Sequence, residues 1–377
     1  MKRKETLCVH PHPRFEKNKS GVTSPLYTST AYNPADSEEL VYPGFFSTSN
    51  QQQLASIISE LEGGVWGMVF NSGMAAITTT ILAMVKRGDH ILFSRQLYGG
   101  TWRFAEQELK ERGVEASYAD NQLLQLKSAV KKNTKVIYIE TPSNPLLSIV
   151  DLQEVAGWAR KNNILTIVDN TFATPINQQP IASGIDMVVH SGTKYLGGHN
   201  DLPFGALVIA DLSLKEKLLS IGKLYGGALS PFSCYLAERS IKTLYLRMQK
   251  HNENAQCIAT YLETHKHVKR VYYPGLASHR DHAVAQKQML GFGGILSFEI
   301  AGNATQTTVF FSKLQLISPA LSLGGVESLI CVPAETSHKI LPKHEREKQG
   351  ITDQLLRLSV GIEHTDDLIN DLENALG

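Results

Sequence analysis

Short β-rich runs that alternate with helical segments restrict the fold of this chain more than any other feature of its sequence. Valine, isoleucine, leucine and aromatic residues concentrate in runs at positions 67–70, 90–93, 115–118, 135–140, 165–169, 187–190 and 206–210. Segments with a helical pattern lie between these runs. The alternation predicts an α/β fold, with a mostly parallel seven-stranded sheet covered by helices.

Three of the predicted helices carry recognisable end signals. The segment 53–61 is followed by Gly63 and Gly64, a pair typical of the residues after a helix end. Another helix is expected to open after Ser72 and to continue to about Val85. Behind Asp151, apolar residues recur at helical spacing, and one stripe of this third helix should face the sheet.

The length of the chain predicts about two domains. It has 377 residues, of which 42% are hydrophobic, enough to bury a sizeable core. Residues 1–60 are polar and broken by prolines, which predicts an arm that contributes to a neighbouring subunit, although a surface strap fits the composition equally well. We expect a large domain at 61–240 and a smaller α+β domain at 241–377, with strands at 293–298 and 356–362.

Composition and charge argue against several classes of protein. A formal net charge of +1 provides no general attraction to nucleic acid or to an anionic membrane. No apolar stretch reaches the ~18 residues that a membrane span requires, and the basic N-terminus lacks the apolar core of a secretion signal. The four cysteines are scattered without metal-ligand spacing. We therefore expect a cytoplasmic protein with free thiols and no metal site.

The residues that follow the β-rich runs are unusually polar. Ligands of open parallel sheets bind at the carboxyl ends of the strands, so these residues are the candidates for a site. Ser72 and Gly73 open a helix whose backbone N–H groups suit a phosphate, although serine and glycine cap many helices for structural reasons alone. Tyr98 suits either stacking on a flat ring or core packing. Asn144 stands between two prolines, and Asp169 ends an apolar strand, where a carboxylate needs a cationic or proton-donating partner.

The segment 188–199 adds an amine to these groups. A β-branched run ends there in small hydroxyl residues, Lys194 and two glycines. Ser191 and Thr193 offer hydroxyl groups to an anion, and the glycines allow close approach of a bulky group. A lysine in such a pocket can lose its proton and form an imine. A surface lysine is the commoner interpretation of any single lysine, so the choice depends on the rest of the chain.

Pyridoxal phosphate is the cofactor that uses all of these groups. It requires an imine-forming lysine, an acid at the pyridine nitrogen, a stacking ring and donors around its phosphate. Lys194, Asp169 and Tyr98 meet the first three requirements. No GxGxxG follows the first strand and no GxxxxGK[ST] occurs, so nicotinamide and nucleoside triphosphate cofactors lack their phosphate loops here.

Eight ordered segments together resemble one known family over nearly the whole chain: 24–30, 72–77, 98–101, 140–145, 168–171, 188–199, 322–328 and 357–361. It is the family of pyridoxal-phosphate enzymes of cysteine and methionine metabolism, which comprises cystathionine lyases and synthase, methionine γ-lyase and the acylhomoserine sulfhydrylases. The resemblance implies the fold type I of such enzymes.

The resemblance also implies a role for each site residue. Lys194 would form the imine, Asp169 would contact the ring nitrogen, and Tyr98 would lie over the ring and act in catalysis. Asn144 would lie near the ring substituents and would also bind the substrate. The phosphate would be held by Ser72, Gly73, Met74, Ser191 and Thr193.

Two residues of the C-terminal third are implied to bind the substrate carboxylate, Ser322 and Arg357. Arg357 has a separate argument, because apolar and other residues alternate over 356–362 and put it on one face of a strand. An arginine there can hold a carboxylate through two hydrogen bonds. Without the resemblance, a surface salt bridge would be the first interpretation of this residue.

Two departures from the family pattern affect the cofactor and the substrate. Relatives carry Tyr-x-Arg in the arm, which reaches the cofactor phosphate of the neighbouring subunit; here Tyr42 is kept but Gly44 takes the arginine position. Leu321 stands where relatives acting on the γ-carbon often have glutamate. Arg103 resembles the arginine that binds the distal carboxylate of cystathionine, and Gly100 replaces a cysteine characteristic of methionine γ-lyase.

These features favour a carbon–sulfur lyase that acts on cystathionine or a related cysteine thioether by elimination. Cystathionine γ-synthase, O-acylhomoserine sulfhydrylase and methionine γ-lyase remain alternatives on the same scaffold. A non-catalytic member that binds the cofactor weakly is a further alternative, favoured only by Gly44. If the arm completes a neighbour's site, the chain forms a homodimer or a homotetramer.

Overall fold

The structure is a computed structural model that describes residues 2–10, 22–36, 40–302, 304–339 and 341–377. Part of the predicted arm, at residues 1, 11–21 and 37–39, lies outside the described residues. Within the part that the structure describes, no helix combines the length and the apolar character needed to cross a membrane.

The predicted α/β sheet is confirmed. In the described part of the chain it has seven strands, in the order β1-β7-β6-β5-β4-β2-β3. Each predicted run forms a strand whose ends lie within one residue of the prediction. The strands are β1 (Trp66–Phe70), β2 (His90–Ser94), β3 (Glu115–Ala119), β4 (Thr134–Glu140), β5 (Leu165–Asp169), β6 (Met187–Ser191) and β7 (Gly205–Ile209).

The strand directions bring several carboxyl ends to one edge of this sheet. β3, β2, β4, β5 and β6 are all parallel to one another. β7 is antiparallel to both of its neighbours, β6 and β1, so β1 runs in the same direction as β6. The loops that follow β1, β2, β4, β5 and β6 therefore emerge together.

Burial on both faces explains why the central strands of this sheet are almost continuously apolar. Along β4, Val136 and Tyr138 belong to the hydrophobic cluster on one face of the sheet. Ile137 and Ile139 belong to the cluster on the other face, with the apolar stripe of the helix that starts behind Asp151. Alternate side chains of one strand thus supply two separate cores.

The helices cover both sheets and confirm the predicted end signals. Thr48 and Gln51 form a capping box before the second helix, which ends at Gly63 with φ 75°. Asp151 caps its helix by accepting the N–H of Glu154. The helices are α1 (Lys4–Val9), α2 (Ser49–Glu62), α3 (Gly73–Met84), α4 (Gly99–Phe104), α5 (Leu123–Ala129), α6 (Leu152–Lys161), α7 (Thr174–Asn177), α8 (Lys215–Tyr225), α9 (Pro231–Ile241), α10 (Leu244–Glu263), α11 (His282–Gln288), α12 (Ala304–Lys313), α13 (Lys343–Lys348) and α14 (Thr365–Leu376).

A second, smaller sheet lies in the C-terminal part of the chain. Its order is β10-β11-β12-β9-β8, and all pairs except β10 with β11 are antiparallel. The predicted strand 293–298 begins two residues later, because Gly293 adopts φ 86°. The strands are β8 (Val268–Tyr272), β9 (Ile295–Ile300), β10 (Ser318–Pro319), β11 (Leu329–Cys331) and β12 (Leu355–Ser359).

The region between the two sheets is helical, as the sequence predicts, but it is broken. α9 ends at Ile241 and α10 begins at Leu244, so Lys242 and Thr243 separate two helices. The proposed domain division at residues 240 and 241 falls in the last turn of α9, and it stays a prediction.

Candidate active site

One cavity of about 710 Å³ lies at the carboxyl edge of the larger sheet. This volume is in the range of small-molecule and cofactor sites. Loops of the smaller sheet close its other side through Leu321, Thr336 and Ser337. All predicted site residues except Tyr42 line it: Ser72, Gly73, Met74, Tyr98, Arg103, Asn144, Asp169, Ser191, Thr193, Lys194, Ser322 and Arg357.

Lys194 carries the only amine among the residues that line this cavity in the described part of the chain. It follows β6 by three residues, and its Nζ donates a hydrogen bond to Ser322 Oγ at 3.0 Å. Burial, and then the positive charge of Arg357, lower the pKa of the Lys194 amine from 10.5 to about 8. About a tenth of this amine is therefore neutral, and nucleophilic, at pH 7, a far larger share than for an ordinary lysine.

Asp169 is a buried carboxylate at the last position of β5. Its Oδ1 accepts the N–H of Thr171 at 3.0 Å and the Thr171 hydroxyl at 2.5 Å, and its Oδ2 accepts the Tyr138 hydroxyl at 3.3 Å. Burial raises the pKa of Asp169, while the two hydrogen bonds from Thr171 lower it. Asp169 forms no ion pair with any described residue, so a cationic ring nitrogen would supply the partner that such a carboxylate needs.

The start of α3 provides the anion end of the cavity. Ser72 Oγ accepts the N–H of Ala75 at 3.1 Å, while the N–H groups of Gly73 and Met74 belong to the helical positions that have no intrahelical acceptor. A Cβ at Gly73 would lie 2.8 Å from the Cβ of Ser191, so only glycine allows the helix start to approach this strand end. The macrodipole of a helix of this length favours a phosphate there.

Arg357 occupies the face of β12 that its alternating sequence predicts. Its neighbours Leu356 and Leu358 pack into the core of the smaller sheet on the opposite face. Arg357 is buried, and it donates from Nη1 to Asn144 Oδ1 at 3.1 Å and from Nη2 to the Ser322 carbonyl at 3.0 Å. Its Nε has no hydrogen-bond partner among the described residues. A buried guanidinium with an unused donor suits a substrate carboxylate.

Tyr98 lies at the wall of the cavity and is not a core residue. Its side chain is 44% exposed, which excludes the core-packing alternative. A Cβ at Gly100 would lie 2.5 Å from Tyr98 Cε1, so the second glycine of the motif makes room for the ring. An exposed aromatic ring held in this way can stack on a planar ligand.

The mouth of the cavity combines a cation with an apolar side chain. Arg103 is exposed on α4, and its Nε donates to Gln107 Oε1 at 2.9 Å. Leu321 is 63% exposed on the opposite side. The guanidinium of Arg103 keeps donors free for a substrate group that extends towards solvent.

Four polar lining residues were not predicted as site residues: Glu140, Thr171, Thr336 and Ser337. Glu140 carries the signal that identified Asp169, an acid at the end of an apolar strand, and it could have been found in that way. Thr336 and Ser337 lie in a segment without any periodic pattern. Only tertiary structure brings that segment to the cavity.

Tyr42 does not line the cavity of its own chain. Its ring is 50% exposed and makes an edge contact with Phe45 at a centroid distance of 5.2 Å. The predicted contact of Tyr42 with the cofactor therefore concerns a neighbouring subunit, and it stays a prediction.

Several observations fit pyridoxal phosphate to this cavity. The start of α3 suits its phosphate, the unpaired carboxylate of Asp169 suits its ring nitrogen, and the Lys194 amine suits its aldehyde. Among the described residues, no group of three or more His, Cys, Asp or Glu side chains could hold a metal ion.

Comparison with known proteins agrees with this fit. The family described as Cys/Met metabolism PLP-dependent enzymes matches residues 5–377. The chain belongs to this family. Its relatives in the family use pyridoxal phosphate, and the predicted resemblance is confirmed.

Three members of the family illustrate the range of its activities. Cystathionine beta-lyase of Lactococcus lactis subsp. cremoris (strain MG1363) is 43% identical over 376 residues, which cover 99% of this chain and 98% of that protein. Cystathionine gamma-lyase of Bacillus subtilis (strain 168) is 42% identical over 377 residues, which cover 99% of each chain. The crystal structure of cystathionine gamma synthase from Xanthomonas oryzae pv. oryzae in complex with cystathionine has a TM-score of 0.96 at 37% identity, covering 100% of this chain and 98% of that one.

Proposed function

We propose that this chain is a carbon–sulfur lyase that cleaves cystathionine, or a related cysteine thioether, by elimination with pyridoxal phosphate. The observation that carries the proposal is the Lys194 amine, whose pKa is lowered to about 8 in a cavity that also holds Asp169 and Arg357. Such an amine serves both as a nucleophile towards an aldehyde and as a base towards a carbon acid.

The cofactor, when bound, supplies an aldehyde that joins covalently to amines and a ring that withdraws electrons from the substrate's α-carbon. Asp169 would hold the proton at the ring nitrogen, since its buried carboxylate needs a positive partner. Tyr98 would cover one face of the ring, and the N–H groups of Gly73 and Met74 would bind the phosphate.

The substrate steps follow from the positions of the remaining groups. Arg357 binds the α-carboxylate and orients the Cα–H bond towards Lys194. The neutral Lys194 amine takes the α-proton, and its ammonium form, or the Tyr98 hydroxyl, gives a proton to the departing sulfur atom. The exposed guanidinium of Arg103 binds the distal carboxylate of cystathionine at the mouth of the cavity.

Elimination at the γ-carbon, or replacement there, is the second candidate. Relatives named cystathionine gamma-lyase and cystathionine gamma synthase support it. Leu321 favours elimination at the β-carbon. Family members that act on the γ-carbon often have glutamate at this position, whereas Leu321 is apolar and exposed. Gly100 argues against methionine as the main substrate, because it replaces the cysteine characteristic of methionine γ-lyase.

Products formed from cystathionine separate these candidates. We expect the holoenzyme to release pyruvate, ammonia and homocysteine from L-cystathionine, measured by separation of the two possible 2-oxo acids. Formation of mainly 2-oxobutyrate and cysteine would establish γ-elimination in its place. Incubation with O-acylhomoserine and a thiol tests for replacement, incubation with methionine tests for methionine γ-lyase activity, and the Lys194→Ala variant is the inactive control.

We further propose that the chain works as a homodimer, or as a tetramer of two dimers. Leu40, Tyr42 and Phe45 expose apolar side chains on the arm, and Tyr42 is the residue expected in a neighbour's cavity. Gel filtration with light scattering is expected to give at least twice the 41.6 kDa chain mass. An active monomer would contradict this assembly.

We assign the enzyme to the cytoplasm, since its free cysteines are those of a reducing compartment.

The alternative of a non-catalytic member rests on Gly44 alone. Loss of one charge-assisted contact to the phosphate is expected to weaken cofactor binding by roughly ten- to a hundredfold, which leaves a functional enzyme only if the other phosphate contacts are strong.

A further inference from the structure

Glu140 is a buried acidic residue of the cavity that no step above uses. It is the last residue of β4, and it pairs in register with Asp169 on β5. Its side chain is only slightly exposed, and it lines the cavity beside the sites assigned to the cofactor ring. A carboxylate in such a place is costly unless its oxygens are well satisfied.

Each carboxylate oxygen of Glu140 accepts a backbone N–H from a different loop. Oε2 accepts the N–H of Tyr98 at 2.7 Å, and Oε1 accepts the N–H of Asn144 at 3.0 Å. Tyr98 belongs to the loop after β2, whereas Asn144 belongs to the loop after β4 itself. The N–H of Glu140 in turn donates to Ser94 Oγ, at the end of β2, at 3.1 Å. One side chain thus ties two loops together.

The contact with Asn144 extends to the substrate side of the cavity. Asn144 Oδ1 accepts a hydrogen bond from Arg357 Nη1, so the hydrogen bonds connect Glu140 to Asn144 and Asn144 to Arg357. Burial and the neighbouring Asp169 raise the pKa of Glu140, while the two N–H donors and the charge of Arg357 favour its ionised form. The N–H groups of Tyr98 and Asn144 each need an acceptor oxygen. The carboxylate of Glu140 supplies two such oxygens from one side chain.

We propose that Glu140 is the positioning residue of this site, which fixes the Tyr98 ring and the Asn144–Arg357 pair relative to Lys194 by accepting one N–H on each oxygen. Its catalytic consequence rests on the proposed lyase function, but its effect on the two loops does not. Tyr98 is half-exposed and stands immediately before α4, where Glu140 accepts its N–H and its carbonyl accepts the N–H of Trp102. Loss of the Glu140 contact would therefore leave the backbone of Tyr98 anchored on one side alone.

Glu140→Gln tests the proposal with little change in size. Glutamine has one acceptor oxygen, so one of the two N–H groups loses its acceptor. We expect kcat for cystathionine to fall about 10- to 100-fold, and the visible circular dichroism per bound cofactor to change, because the ring lies less firmly between its contacts. Glu140→Asp keeps the charge but shortens the reach, and it is expected to show the same losses.

Two controls separate positioning from a loss of general stability. Glu111→Gln changes an exposed carboxylate outside the cavity, and it should leave kcat and the dichroism unchanged. If Glu140 had only a structural role, the Glu140→Gln variant would have a lower melting temperature than the wild type. Its folded holoenzyme would keep the wild-type kcat and dichroism. That outcome would overturn the proposal.

Amide hydrogen exchange provides a measurement that needs no active variant. In the wild-type protein, with or without cofactor, we expect protected amides at Tyr98 and Asn144, and faster exchange at both loops in Glu140→Gln. Rapid exchange at these amides in the wild type would refute the two hydrogen bonds. Absence of lyase activity in a wild type with protected amides would count against the proposed function and leave the role of Glu140 standing.

Discussion

Replacement of Lys194 by alanine is expected to remove the cofactor absorption of the holoenzyme near ~420 nm and to lower kcat at least ~10³-fold. Lys194 carries the only amine that lines the cavity in the described part of the chain. Without it the cofactor has no covalent attachment, and the α-proton has no base. Absorption spectra of the purified protein and initial rates with cystathionine measure both effects.

The matched control for this variant is Lys217→Ala, which removes an exposed lysine of α8. This control should keep the absorption band and the rate. A band of full height in Lys194→Ala, resistant to dialysis, would show that another group holds the cofactor, and the assignment of Lys194 would then be wrong.

The same amine determines how cofactor loading depends on pH. Attack on the aldehyde requires the neutral amine of Lys194. The rate of cofactor incorporation into apoprotein should therefore rise with pH, with a midpoint near the lowered pKa of about 8. The pKa of an ordinary lysine is 10.5. Below this midpoint the amine is protonated and loading is slow. Stopped-flow absorption of apoprotein mixed with pyridoxal phosphate between pH 6 and pH 10 gives the midpoint.

Arg357→Lys is expected to lower kcat/KM for cystathionine roughly 100- to 1,000-fold, which corresponds to ~3–4 kcal/mol. Lysine keeps the charge but loses the planar arrangement of donors that contacts Asn144, Ser322 and the substrate carboxylate together. Because the phosphate contacts lie elsewhere in the cavity, cofactor absorption should remain.

Arg357→Gln separates charge from geometry. It should lower kcat/KM at least as much, and it should also raise the midpoint of cofactor loading, because the positive charge that lowers the pKa of Lys194 is gone. Arg239→Lys, at an exposed position of α9, is the matched control. A kcat/KM within threefold of the wild type in Arg357→Lys would contradict carboxylate binding by this residue.

Much of the fold could be predicted because its signals are local. Each strand of the larger sheet is a short apolar run, and the ends of α2 and α6 are determined by Gly63 and Asp151. These interactions lie within a few residues of one another, so they are visible in the order of amino acids. The end of β12 at Ser359 and the start of β9 after Gly293 were less clear, because pairing with other strands determines them.

The sequence alone determined which residues can carry the chemistry. Asp169 and Lys194 follow β-branched runs, and strands of one direction bring their carboxyl ends to one edge, so these residues had to lie near one another. The alternation around Arg357 determined which face of its strand it occupies. Periodicity and capping are properties of neighbouring residues, which explains this success.

Only the tertiary structure decided how those groups act on one another. Lys194 meets Ser322 across 128 positions of sequence, and Arg357 meets Asn144 across 213. The lowered pKa of Lys194, the raised pKa of Asp169, and the two loops held by Glu140 all depend on burial and on charges that such distant segments supply. Desolvation and hydrogen-bond geometry arise when segments pack together, and no local pattern records them.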